Sequence, residues 1–141
     1  MRRTATMHHH GYLWLGSGYE LAKDGPRRPG HPEFPTARVV PLELAHWLLK
    51  PRPFVQGTWD DPGAAAAWFG QRAREHASAF ATAHDRDVER IAGKVESARR
   101  AAAGGEDVAG GWYLTGQRFL SVCLVACDPH PARPEFPCPE Q

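Results

Sequence analysis

The residues of this chain best able to do chemistry sit near its two ends. His8-His9-His10 lies close to the start, and Cys127-Asp128-Pro129-His130 and Cys138 lie close to the finish. Imidazole and thiolate are the donors that hold zinc, four at a time when the site is structural. Cys127 and His130 are separated by a two-residue gap, a spacing at which both can reach one ion. His8, His10, Cys127, His130 and Cys138 are therefore the candidate metal ligands, with a zinc-type ion as the implied cofactor. The competing explanation is plain: histidines in water near a terminus, and a thiol that ends a buried strand. Only one short-gap pair exists, so such a site needs the two chain ends to converge.

A second candidate is His84 with Asp87. At 100° per residue His84 falls on an apolar stripe between Phe80 and Val88. A buried imidazole held by a carboxylate is the posture of a general base. It is equally how a core histidine gets its hydrogen bond. Other signals fail. Gly16-Ser17-Gly18 is followed by prolines rather than a helix, so it lacks the helix terminus that binds phosphate. No serine or cysteine carries a nucleophile signature, and Cys123 reads as an inert mid-strand thiol. Tyr12, Trp14, Trp112 and Tyr113 fall on expected strands and serve either the core or a ligand pocket. Trp47 and Trp59 lie beside loops and could face a partner.

The elements that must position these residues follow from pattern. Residues 12–15 form a short apolar strand between glycines. Five prolines make 24–41 an irregular loop. Pro41 opens a helix whose stripe is Leu42, Leu44, Ala45, Leu48 and Leu49, and Pro51 ends it. Asp60-Asp61-Pro62 starts a helical pattern that runs to about Arg100. At 1.5 Å per residue one helix of that length spans roughly 60 Å. Overhang, a kink near Gly70 or Gly93, or a second subunit is then expected. Residues 111–115 and 118–127 form a hairpin turning at Gly116-Gln117, with Trp112 opposite Ser121 and Leu114 opposite Phe119. Trp112 then shares a face with Cys123, and Tyr113 with Leu120. The second hairpin strand is apolar on both sides and belongs in the centre of the sheet.

The expected fold class is α+β: a three-stranded, mainly antiparallel sheet packed against a long and a shorter helix. Its topology is a split β-α-β unit plus the C-terminal hairpin. Strand 12–15 runs antiparallel to 118–127, because its long helical connection to 111–115 suits a parallel crossover. That direction brings His8–His10 beside Cys127 and His130. Residues 1–141 read as a single domain, with 1–10 a loose N-terminus and 128–141 a proline-rich tail. Met7 is an alternative start to Met1.

Composition narrows the partners. The net charge is +1, with 42% hydrophobic and 23% charged residues. Neither a polyanion nor a membrane is indicated, and no apolar run reaches the ~20 residues of a span. Arginine exceeds lysine 14 to 3. Together with abundant Ala, Gly and Pro, that reflects GC-rich codons rather than phosphate binding. The basic start around Arg2-Arg3 lacks a signal-length apolar run, so the reading is cytoplasmic with reduced thiols. The chain reads as a non-enzymatic accessory protein that binds a protein or small-molecule partner, with a homodimer through the long helix. The alternatives are a metal-binding protein built on its two ends and an enzyme using His84.

Overall fold

A computed structural model describes residues 7–140. The Arg2-Arg3 segment and the rest of residues 1–6, the first part of the expected loose N-terminus, lie outside the described residues. So does Gln141.

Four strands form one sheet: β1 (His8–Ser17), β2 (Gly57–Trp59), β3 (Val108–Leu114) and β4 (Arg118–Cys127). Their order is β2-β1-β4-β3, with every neighbouring pair antiparallel. β1 and β3 therefore run in the same direction on either side of β4, as the split arrangement requires. β4 is central and buried along Leu120–Cys127. The sheet has four strands rather than three. Three residues ahead of Asp60-Asp61-Pro62 are too few to show an alternating pattern, so β2 is silent in the sequence. β1 is also longer than 12–15, because its partner β4 offers ten consecutive positions for the ladder.

The helical stretch is not one rod. It divides into α2 (Pro62–His76), α3 (Ala83–Arg86) and α4 (Val88–Ala103), after the short α1 (Gly18–Ala22). Asp61 caps α2, accepting from Ala64 N–H at 2.9 Å. The break falls at 77–87, at neither Gly70 nor Gly93. There the chain leaves the helix to meet the sheet. Phe80 bridges to Leu114 and stacks on Trp112 at 5.2 Å. Ala81 N–H donates to the Tyr113 carbonyl, and Thr115 N–H to that of Ala79. Thr82 and Asp87 then cap the next helices. Gly70, instead of kinking, is where α4 comes close: a Cβ there would stand 2.7 Å from Val95. Folding back removes the overhang that motivated a dimer.

The hairpin turns where expected, but its register is one residue off. Trp112 faces Leu120, Tyr113 faces Phe119 and Leu114 faces Arg118. Gly116 (φ +77°) and Gln117 (φ +57°) both enter the left-handed region, and Thr115–Gln117 forms a three-residue loop. A one-residue slip exchanges faces. Trp112 accordingly joins Leu120, Val122 and Leu124 under the helices, while Cys123 lies on the other side.

That second face is covered by irregular chain. Tyr12, Trp14, Cys123, Val125 and Cys127 pack against Val39, Val40, Trp47 and Leu48. The expected helix after Pro41 is a 3-10 segment, Leu44–Leu49. It buries Ala45, Trp47 and Leu48 and leaves Leu49 exposed, as is Leu42 just before it. Lys50 is buried at its end, its ammonium donating to the carbonyls of Phe34 and Ala37. Among the described residues, no helix is long and apolar enough to cross a membrane.

Candidate metal centre

β1 and β4 bring the chain ends together. His8 lies directly opposite Cys127, and His10 opposite Val125. Side chains alternate along a strand, so His8, His10 and Tyr12 share one face with Cys123, Val125 and Cys127. His9 must point the other way, and there its Nε2–H donates to the Glu106 carbonyl at 2.8 Å.

The tail after β4 folds back over this face and delivers Cys138. One ligand atom from each of His8, His10, Cys127 and Cys138 lies within 4.8 Å of all the others. Cys138 Sγ stands 3.5 Å from His10 Nε2 and 3.7 Å from His8 Nε2. A tetrahedral ion with metal–sulfur and metal–nitrogen distances of roughly 2.3 and 2.0 Å requires sulfur–nitrogen edges of about 3.6 Å. The two edges from Cys138 fit that figure. His10, Cys127 and Cys138 are buried and His8 is partly so.

His10 is oriented for the task. Its Nδ1–H donates to Thr58 Oγ1 at 2.8 Å, and the Thr58 hydroxyl donates in turn to the Glu140 carboxylate. This relay keeps the lone pair on Nε2, the atom that faces the thiol. An outer carboxylate fixing a histidine tautomer is the usual support of a metal ligand. Burial, and then the neighbouring His8, lowers the His10 pKa to about 4, so the ring is neutral and able to coordinate. The Cys127 thiol is pushed up, first by burial and then by Cys138 beside it. Tyr12 Oη is buried without a hydrogen-bond partner among the described residues. Its hydroxyl is pushed up by burial and by the nearby Cys127, Cys138 and Glu140.

His130 does not join the cluster. Its Nε2–H donates to Asp107 Oδ2 at 2.8 Å, and its Nδ1 accepts from the Ala132 and Arg133 amides. Both ring nitrogens are thereby committed. Asp107 also accepts from Ala126 N–H, so His130 pins the tail to the end of β4. Arg133 adds two hydrogen bonds of 3.1 Å to Glu43.

His84 and Asp87 are not the buried pair that the apolar stripe implied. Both are exposed, because the chain breaks at 77–87 and the stripe that would have buried His84 ends at Phe80. Asp87 caps α4 through Arg90 N–H at 2.9 Å and does not hold the imidazole. Thr58, Glu140 and Tyr12 were not foreseen as part of the centre. For Tyr12 the signal was available, since it continues the i, i+2 face of His8 and His10. Compared with family models, curated proteins and solved structures, the chain matches none.

Proposed function

We propose that this protein binds one zinc-type divalent ion through His8, His10, Cys127 and Cys138, as a closed site that fastens its C-terminal tail to the sheet. The observation that carries the reading is the convergence of four N/S donor atoms within 4.8 Å. Two come from β1, one from the end of β4 and one from the tail. Two thiolates and two imidazoles suit zinc by softness and by number. A four-ligand set leaves no open position for a substrate, so the role is to hold the metal and the chain rather than to catalyse. The low His10 pKa and the Thr58–Glu140 relay support it, because a ligand must be neutral and correctly tautomeric before the ion arrives.

Metal analysis of protein purified without chelators tests this directly. About one equivalent of zinc is expected, with tetrahedral thiolate absorption after cobalt substitution. The Cys127→Ser/Cys138→Ser variant should lose both. Less than about a tenth of an equivalent in the wild type, after incubation with zinc and dialysis, overturns the reading.

A further inference from the structure

We propose that Cys127 and Cys138 are also a thiol–disulfide pair, so that a peroxide-class oxidant closes them into a disulfide and expels the metal. The release step rests on the metal reading. The disulfide does not, because it needs only the two sulfurs, which lie within 4.8 Å of each other.

The two cysteines are placed differently. Cys127 closes β4, fully buried and opposite His8. Cys138 belongs to no helix or strand. It stands between Pro137 and Pro139, neither of which has an N–H to tie the backbone down. A disulfide sulfur–sulfur bond is about 2.05 Å, so one sulfur must advance by at most a few ångströms. Cys138 can do so without breaking a ladder hydrogen bond. It is also the more exposed, at 7% against 0% for Cys127. The third thiol, Cys123, is held near Ser121 Oγ at 3.3 Å, deep on the strand.

The step balances as follows. Cys138 sulfur attacks one peroxide oxygen, and the O–O bond breaks to give a sulfenic acid and one water. Cys127 sulfur then displaces the hydroxyl, forming the S–S bond and a second water. Two thiols are oxidised by two electrons, hydrogen peroxide is reduced, and both thiol protons leave in water. His8 and His10 remain, and two imidazoles alone are a poor zinc site.

The experiment uses stoichiometric hydrogen peroxide on the zinc-loaded and the metal-free protein in parallel. In the metal-free arm two of the three thiols should be lost. The intact mass should fall by about 2 Da, with a cross-link between the peptides of Cys127 and Cys138. In the loaded arm the same cross-link should appear with release of the bound zinc to a chromogenic chelator. Dithiothreitol should restore both thiols and zinc binding. Cys123→Ala should form the cross-link as the wild type does, and Cys138→Ser should not. A gain of about 32 Da (sulfinic acid), a cross-link through Cys123, or disulfide-linked dimers would overturn the proposal. Zinc retained on cross-linked protein would overturn the release. If no zinc binds at all, the metal-free arm still decides the disulfide, and only the metal reading falls.

Discussion

His8 stands directly opposite Cys127 in the β1–β4 ladder, so the register that builds the sheet also pairs a first and a third ligand. Neither residue reaches for the other. Their proximity follows from strand direction, and the tail then has only to add Cys138.

Metal binding should release protons. Free thiols are largely protonated at neutral pH and coordinate as thiolates. Calorimetric titration with zinc at pH 7, in buffers of different ionisation enthalpy, should report about two protons released. A value near zero would show that the cysteines are not ligands.

His130 and His10 should separate by phenotype. His130→Ala removes the bond to Asp107 and two backbone contacts, and should cost about 1–2 kcal/mol of stability. It should leave metal stoichiometry at the wild-type level. His10→Ala should abolish tight binding. Equal loss of metal in the two variants would count against the four-residue set.

His84 should be silent. An exposed histidine away from caps and cores is worth within about 0.5 kcal/mol, so His84→Ala should unfold like the wild type. Asp87→Ala, by contrast, removes the cap of α4 and should cost about 1 kcal/mol. Denaturant titration of both variants checks the pair.

Lys50 should give stability a distinctive pH dependence. Burial pushes its pKa down to about 8 from the ordinary 10.5. Below that range both states carry the proton. Between the two values the unfolded chain holds a proton that the folded one has released, so stability rises with pH. Relative to Lys50→Met, the wild type should gain stability as pH rises across this window. A flat difference would show that the Phe34 and Ala37 carbonyls keep the ammonium charged throughout.

The split topology and the strand directions were legible because they depend on long-range pattern: an apolar ten-residue strand and a long helical connection. Convergence of the ends followed from them. The hairpin register was not legible, because Gly116-Gln117 fits both a two-residue and a three-residue loop. The helix break was hidden for a different reason. Phe80 keeps the helical period perfectly well, and contacts made only in the folded sheet, its stacking on Trp112 and the backbone bonds of Ala79 and Ala81, hold it out of line. His130 misled by sequence proximity to Cys127, whereas its real partner, Asp107, comes from the chain just before β3.

The pairing of β1 with β4 also orders events in time. During synthesis β1 emerges first, yet its ten-residue partner follows a hundred residues later. Until then its described strand pairing is limited to the three residues of β2. The α2–α4 hairpin can form from local contacts while β1 waits, and contacts of such sequence separation close slowly. A chain interrupted before Arg118 would hold a first strand whose Tyr12–Leu15 stretch has no β4 to pair with, and such an exposed edge is what chaperones act on.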